Sequence, residues 1–176
     1  MQIKPTLFPE VLLIQPKVFE DSRGFFYESF NQVNYKEAGI HKNFVQDNIS
    51  RSIKNTLRGM HYQIEKPQAK LVSVITGEVF DVIIDIRKNS PSFGKWFGQI
   101  LNDTNHYQLY IPEGFAHGFC VLSDIADFMY KCTDYYYPKG ERGIRFDDPD
   151  VNIQWPIDIK HAILSEKDTL YPRLKS

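Results

Sequence analysis

The chain has 176 residues, 42% of them hydrophobic and 14% aromatic, and carries a formal net charge of -1 at pH 7. This length predicts a single domain, residues 1–176, that buries a substantial core, and the composition excludes a disordered chain. The balanced charge argues against nucleic acid or an anionic membrane surface as the main partner. A small anionic ligand is compatible with it, because a local basic cluster is invisible in a neutral total.

The two cysteines, Cys120 and Cys132, lie in apolar runs and are too few for a disulfide framework. We therefore expect buried free thiols in a reducing compartment. The sequence shows no leader pattern and no apolar run of the roughly 18 residues needed to cross a bilayer. The expectation is a cytoplasmic protein without a membrane segment.

Short strand-like runs, separated by turn residues, follow one another along the chain. Turn residues at 21–24 precede an aromatic strand. A short helix is predicted over 31–39, with Asn31 or Asn34 as its N-cap and Gly39 just past its end. Further strands are predicted at 11–14, 93–101, 107–111, 118–122 and 126–133.

The polar stretch Gln46-Asp47-Asn48 lies in a strand-like setting within residues 44–51. It is compatible with a loop or a solvated sheet edge. It is equally compatible with hydrogen-bonding groups that line a polar pocket. The residues themselves do not decide between these two interpretations.

Residues 69–76 and 79–87, with Gly77-Glu78 between them, are expected to form a hairpin. In the second strand of this pair, one face carries Phe80, Val82, Ile84 and Ile86, and the other carries Asp81, Ile83 and Asp85. A weak helical pattern is confined to residues 159–170. Many short strands with turn residues between them indicate a mostly-β sandwich or barrel with a short helical C-terminal tail.

Two motifs each place a histidine beside strand-like residues: Arg58-Gly59-Met60-His61-Tyr62-Gln63 and Pro112-Glu113-Gly114-Phe115-Ala116-His117. They predict facing strands that direct both histidines into one cavity. The arrangement resembles the two-motif signature of the cupin superfamily, a jelly-roll barrel whose metal-binding members supply two histidines and a carboxylate from the first motif. Here Gln63 stands in place of the second histidine and Lys70 lies near the carboxylate position. Because an ammonium repels a divalent cation, the resemblance predicts such a barrel without its metal.

A closer resemblance extends over about the whole chain. The motifs that carry it, in order, are Arg23-Gly24-Phe25-Phe26, Phe44-Val45-Gln46-Asp47-Asn48, Leu57-Arg58-Gly59-Met60-His61-Tyr62-Gln63, Gly77-Glu78-Val79-Phe80-Asp81-Val82, Ile86-Arg87, Pro91-Ser92-Phe93-Gly94, Ile111-Pro112-Glu113-Gly114-Phe115-Ala116-His117-Gly118-Phe119, Tyr130-Lys131-Cys132-Thr133 with Tyr135-Tyr136, and Leu164-Ser165-Glu166-Lys167-Asp168. They resemble the dTDP-4-dehydrorhamnose 3,5-epimerase family. The resemblance implies a cupin-like jelly roll with short helical segments, including a C-terminal one. It also implies an isomerase that inverts C3 and C5 of dTDP-4-dehydro-6-deoxy-D-glucose, giving dTDP-4-dehydro-L-rhamnose without a cofactor.

The resemblance assigns catalytic roles to four residues. His61 is the implied base, with a side chain whose ordinary pKa of about 6.5 suits proton transfer, and Asp168 is its implied partner. Lys70 is implied to stabilise the enolate, and Tyr130 to act as the acid on the opposite face. Each residue also has a structural alternative: a hydrogen-bonded core histidine, a solvated lysine, or a core tyrosine bonded to backbone.

The resemblance also implies a binding set. Its members are Arg23, Glu28, Gln46, Asp47, Asn48, Arg58, Lys70, His117, Tyr136, Glu141 and Lys167. Tyr136 is implied to stack on thymine, and the guanidinium groups of Arg23 and Arg58 suit a pyrophosphate. The match is loose near Glu141, where Arg142 is an equal candidate. Members of the family are homodimers, so Arg23 and Glu28 are candidates for serving the partner's pocket.

Three other functions are compatible with parts of the pattern. A relative that inverts C3 alone would use nearly the same residues. A non-catalytic sugar-nucleotide binding module on the same barrel would not need His61, Lys70, Tyr130 and Asp168 together. A metal-dependent cupin is disfavoured by Gln63 and Lys70.

Overall fold

The computed structural model describes residues 1–174. Within them the chain forms thirteen strands and two α-helices, so the mostly-β prediction is confirmed. In chain order these are β1 (Gln2–Lys4), β2 (Leu12–Gln15), β3 (Val18–Asp21), β4 (Gly24–Tyr27), α1 (Gln32–Glu37), β5 (Gln46–Ile53), β6 (Leu57–Gln63), β7 (Lys70–Thr76), β8 (Glu78–Asp85), β9 (Trp96–Asn102), β10 (Gln108–Ile111), β11 (Phe115–Val121), β12 (Ile125–Cys132), β13 (Glu141–Gly143) and α2 (Glu166–Thr169). Single turns of 3-10 helix cover Pro138–Gly140 and Ile159–His161.

The strands form two facing sheets and a separate hairpin. One sheet has six strands in the spatial order β1, β2, β10, β7, β12, β5, and the other has five in the order β13, β6, β11, β8, β9. The hairpin consists of β3 and β4. Within residues 1–174 neither sheet closes on itself, so the architecture is the sandwich form of the predicted jelly roll rather than a closed barrel.

The predicted hairpin of β7 and β8 is wrong, because the two strands lie in different sheets. β7 pairs with β10 and β12, whereas β8 pairs with β11 and β9. Gly77, at φ +81°, carries the chain from one sheet to the other. A Cβ at Gly77 would lie 2.1 Å from the carbonyl oxygen of Ile125, which only glycine avoids. Glycine between two alternating strands therefore marks a corner of the sandwich here.

Strand β8 is buried on both faces. Ile83 packs in the main core between the sheets. Val82 and Ile84 pack on the outer side of their sheet, where residues of the C-terminal segment such as Ile144 and Val151 cover them. The face of β8 that carries Asp81 is therefore the inner one, and this acidic side chain points into the sandwich.

The predicted helix forms, and its N-cap is Asn31. The Asn31 side-chain oxygen accepts hydrogen bonds from the backbone N–H groups of Val33, at 3.0 Å, and Asn34, at 3.4 Å. Gly39 follows the helix at φ +98°, as expected for the residue after a helix end. The helix buries Tyr35 on the outer side of the six-stranded sheet.

Strands β6 and β11 approach each other closely at two glycines. A Cβ on Gly59 would lie 2.5 Å from the Gly118 Cα, so neither position has room for a side chain. The pairing is irregular between His117 and Phe119. Beyond this irregularity His61 and His117 are direct register partners on neighbouring strands.

Two further expectations concern the cysteines and the membrane. Cys120 and Cys132 are buried free thiols, as predicted. In the part of the chain that the structure describes, residues 1–174, no helix is long and apolar enough to cross a membrane.

Candidate active site

A cavity of about 1460 Å³ opens between the two sheets. Eleven of the fourteen residues predicted for the site line it: Gln46, Asn48, Arg58, His61, Lys70, His117, Tyr130, Tyr136, Glu141, Lys167 and Asp168. Most of these residues come from strands of both sheets. Tyr136 comes from the loop after β12, and Lys167 and Asp168 come from α2. The cavity therefore depends on the complete sandwich.

His61 and Asp168 form a hydrogen-bonded pair at the cavity wall. The His61 Nε2 lies 2.6 Å from the Asp168 Oδ1, with the histidine 26% exposed and the aspartate 3% exposed. Ser165 caps the helix that carries Asp168, because its side chain accepts a hydrogen bond from the Asp168 N–H. Burial raises the pKa of Asp168, but the hydrogen bond and charge of His61 hold it below its usual value. Asp168 is thus a carboxylate acceptor, and Nδ1 is the ring nitrogen of His61 left for a substrate.

A second histidine–aspartate pair lies beside the first. The His117 Nε2 lies 2.7 Å from the Asp81 Oδ2, and both side chains are buried. The Asp81 Oδ1 is buried without a hydrogen-bond partner among residues 1–174. Asp81 was not among the residues predicted for the site. Its signal in the sequence was a carboxylate in the middle of a mostly apolar strand, on the same face as Ile83.

Lys70 and Tyr130 approach each other from neighbouring strands of the six-stranded sheet. The Lys70 Nζ lies 5.7 Å from the centroid of the Tyr130 ring. Burial lowers the pKa of Lys70, and burial raises the pKa of Tyr130. The Tyr130 phenol is therefore protonated at neutral pH and can donate a proton.

A polar network links Tyr136, Glu141 and Lys167 at one end of the cavity. The Tyr136 hydroxyl donates to Glu141 at 2.7 Å, and the Lys167 ammonium donates to the other carboxylate oxygen at 2.6 Å. The Tyr136 ring remains 53% exposed. Of the two candidates at this point in the sequence, Glu141 lines the cavity, whereas Arg142 is exposed and donates to backbone carbonyl groups.

Strand alternation separates the members of the polar stretch on β5. Gln46 and Asn48 face the cavity, and the Gln46 amide donates to the Asn48 side chain at 3.0 Å. Asp47, which was predicted to join them, points to the opposite face of the sheet and accepts from Lys131 at 2.8 Å. Every second residue of this stretch therefore lines the cavity, and the residue between them does not.

Two other predicted residues lie outside the cavity of their own chain. Arg23 sits at the tip of the β3–β4 hairpin, 88% exposed and paired with Asp21 at 2.6 Å. Glu28 is exposed and accepts hydrogen bonds from the side chains of Asn31 and Asn34. Both residues lie outside the cavity because the β3–β4 hairpin and the residues just after it belong to neither of the two sheets that enclose it.

Gln63 holds loops together at the position where metal-binding cupins carry a histidine. Its amide nitrogen donates to the Lys66 carbonyl at 2.7 Å, and its oxygen accepts from the Tyr137 N–H at 2.9 Å. Across residues 1–174 no group of three or more His, Cys, Asp or Glu side chains is arranged to hold a metal ion.

The fold and the site define a cupin-like β-sandwich whose cavity is equipped for proton transfer. The sequence profile of the dTDP-4-dehydrorhamnose 3,5-epimerase family matches residues 5–176. A dTDP-4-dehydrorhamnose 3,5-epimerase from Shigella flexneri is 55% identical over 170 residues, which cover 96% of this chain and 93% of that protein. The chain belongs to the dTDP-4-dehydrorhamnose 3,5-epimerase family, whose members are isomerases.

Solved structures show the same fold. The epimerase RmlC from Legionella pneumophila Philadelphia 1, in complex with dTDP-4-keto-L-rhamnose, superposes with a TM-score of 0.96 at 53% identity, covering 99% of this chain and 93% of that chain. ChmJ, a 3'-monoepimerase from Streptomyces bikiniensis in complex with dTDP-quinovose, gives a TM-score of 0.90 at 31% identity, covering 97% of this chain and 87% of that one. The fold is therefore shared by double and single epimerases.

Proposed function

We propose that this protein inverts C3 and C5 of dTDP-4-dehydro-6-deoxy-D-glucose to give dTDP-4-dehydro-L-rhamnose. The observation that carries the proposal is one cavity lined by the His61–Asp168 pair, Lys70 and Tyr130. These side chains match the three needs of inversion next to a ketone: a base, a cation for the enolate oxygen, and an acid. The family membership supports the same reaction.

In the proposed mechanism His61 Nδ1 removes the proton from C3 or C5. The C–H bonding electrons move to the C4 carbonyl, whose oxygen becomes the enolate oxygen beside the Lys70 ammonium. At C5, Tyr130 then donates its proton to the opposite face of the carbon, and at C3 solvent supplies that proton. In both cases the electrons return from the oxygen to form the new C–H bond. Solvent afterwards reprotonates Tyr130 and takes the proton from His61. The C4 ketone supplies the acidity at both carbons, so the proposed reaction needs no cofactor.

Hydrogen exchange in heavy water tests this function directly. We expect the purified protein to incorporate deuterium at both C3 and C5 of the substrate, followed by proton NMR, together with formation of the L-rhamno product. Deuterium at C3 alone would identify a single epimerase like the Streptomyces bikiniensis relative. No exchange, with the nucleotide sugar still bound, would indicate a binding module.

The nucleotide is proposed to bind at the end of the cavity that carries Tyr136. Its exposed ring offers a stacking surface for thymine. Arg58 lines the same cavity, and its guanidinium is steadied by a hydrogen bond to the Ser52 hydroxyl at 3.0 Å. A guanidinium can donate two parallel hydrogen bonds to the oxygens of a pyrophosphate. Gln46, Asn48, His117, Glu141 and Lys167 complete the proposed binding set on this chain.

We further propose a homodimer in which the β3–β4 hairpin reaches the partner's cavity. The hairpin exposes Phe19 (53%) and its register partner Phe26 (69%), aromatic surface that an isolated hairpin would leave in water. Arg23, at its tip, and Glu28, just after it, lie outside the cavity of their own chain. Contact with a second copy would cover the aromatic surface and bring Arg23 to a pyrophosphate.

Subunit mixing tests this shared site. Arg23→Ala and His61→Asn homodimers are each expected to be nearly inactive, while heterodimers of the two regain one complete cavity and about half of the wild-type activity per active dimer. A mixture of His61→Asn with Lys70→Ala is the control, because both changes lie in their own chain's cavity and no combination restores it. Full activity of Arg23→Ala, or no recovery in the first mixture, would contradict the shared site.

We propose a cytoplasmic location and one epimerase domain over residues 1–176. The two buried free thiols, Cys120 and Cys132, support a reducing compartment. The family profile matches residues 5–176, nearly the whole chain, which supports one domain.

A further inference from the structure

Asp81 is a buried carboxylate that the proposed mechanism does not use. Its side chain is fully buried on β8, inside the sandwich. One oxygen binds His117, and the other is left without a hydrogen-bond partner among residues 1–174. Burying a carboxylate with half of its acceptors unsatisfied is costly. Burial raises the pKa of Asp81, so a positive charge nearby is needed to favour its charged form.

One such positive charge is that of Lys70. The titratable groups whose charge acts on its ammonium are Cys132 of β12, Asp81 of β8 and Glu141 of β13. The Tyr130 ring of β12 lies 5.7 Å from the ammonium. On the β10 side its pairing partner is the apolar Ile111. Burial raises the pKa of both Cys132 and Tyr130, so these two groups are neutral at neutral pH. The carboxylates of Asp81 and Glu141 are therefore the negative charges that act on Lys70.

Glu141 is already occupied by another cation. The Lys167 ammonium lies 2.6 Å from its carboxylate and offsets part of its charge. The effect of Glu141 on the pKa of Lys70 is smaller than that of Asp81. Among residues 1–174 no lysine or arginine donates a hydrogen bond to Asp81, and its Oδ1 has no hydrogen-bond partner there. Burial lowers the pKa of Lys70, and the Asp81 charge opposes that effect. Burial raises the pKa of Asp81, and His117 and Lys70 oppose that effect in turn.

We infer that Asp81 is a positioning residue of the reaction: it keeps Lys70 charged at the enolate position and holds His117 in the tautomer with hydrogen on Nε2. The catalytic consequence of this inference rests on the proposed function, whereas the coupling between Asp81 and Lys70 is independent of that function. In the tautomer that Asp81 imposes, His117 Nδ1 faces the ligand as the remaining ring nitrogen.

The coupling is measured without any reaction. Lysine labelled with carbon-13 at Cε gives a Lys70 NMR signal, identified by its absence in Lys70→Arg, that is followed against pH in the substrate-free protein. In Asp81→Asn we expect the midpoint of this titration to fall by at least about one pH unit, because a nearby opposite charge has been removed. Asp168→Asn is the matched control, since it removes the carboxylate of the other pair, and the Lys70 midpoint should not move. Equal midpoints in Asp81→Asn and wild type would overturn the inference.

The folding of Asp81→Asn is checked by its melting curve and its affinity for dTDP. A reciprocal variant tests the same coupling from the side of Lys70, in case Asp81→Asn does not fold. Lys70→Met removes the cation, so the titration midpoint of the Asp81 carboxyl should rise by a similar amount. An unchanged Asp81 midpoint would also overturn the inference.

The catalytic part has its own readout. The deuterium-exchange rate of wild type should decline at high pH as Lys70 loses its proton, and in Asp81→Asn this decline should begin at lower pH. A shifted Lys70 midpoint with an unshifted rate profile would show that Asp81 controls Lys70 but that Lys70 does not stabilise the enolate. That outcome would refute the proposed role of Lys70 while leaving the coupling intact.

Discussion

Deuterium exchange at C3 and at C5 should fall together in His61→Asn, by about 10²–10⁴-fold, the usual contribution of a positioned acid or base. Asparagine keeps a polar group that can bond to Asp168 but has no basic nitrogen. Because one histidine is proposed to serve both carbons, the two exchange rates must drop by similar factors. Proton NMR in heavy water measures both rates in one experiment.

The chain offers a matched control for this substitution. His161 also pairs with an aspartate, Asp158, at 3.1 Å, but it is 78% exposed and lies outside the cavity. His161→Asn should exchange at the wild-type rate. Exchange at wild-type rates in His61→Asn, or loss at only one carbon, would mean that a second base operates.

The strands and the helix were predictable because their signals are local. The N-cap at Asn31 and the glycine at 39 mark α1 within a few residues. Most strands were visible as apolar runs between turn residues. The pairing of β7 was not, since its partners β10 and β12 are supplied by residues more than thirty positions away.

The same limit explains the differences at the site. Whether Asp47 or its neighbours Gln46 and Asn48 face the cavity depends on which face of β5 is turned inward, and only the assembled sheet decides that. Asp81 was not predicted for a related reason. The opposite face of its strand carries only apolar residues, so the alternation pattern favours that face, and not the acidic one, as the inner face. The resemblance to a known family supplied Lys70, Tyr130 and Asp168, which local patterns alone would have left as ordinary surface or core residues.

The exposed hairpin shows a third limit. Arg23 and Glu28 were selected by resemblance, and the folded chain places them away from its own cavity. Their proposed role is complete only in an assembly of two chains. In the proposed homodimer, the second copy would therefore supply these two residues to the pyrophosphate end of the cavity.

Tyr130→Phe should separate exchange from inversion. A base on one face can remove a proton and return it, or a deuteron, to the same face without changing the configuration. Inversion requires a donor on the other face, and the Tyr130 hydroxyl is the proposed donor because burial keeps it protonated. We expect the variant to retain exchange through His61 but to lose inversion at C5 by about 10²-fold or more, while inversion at C3 persists through solvent.

The substitution is conservative enough to interpret. Phenylalanine keeps the ring that packs beside Phe128, at 6.1 Å between centroids, and the ring face near the Lys70 ammonium. Tyr135→Phe is the control, since Tyr135 is 60% exposed and does not line the cavity, and it should invert both carbons normally. Proton NMR distinguishes the two results, because deuterium incorporation reports exchange and the ring coupling constants report configuration. If Tyr130→Phe forms the L-rhamno product at the wild-type rate, the proton comes from a bound water or from another tyrosine of the cavity, for which Tyr136 is the candidate.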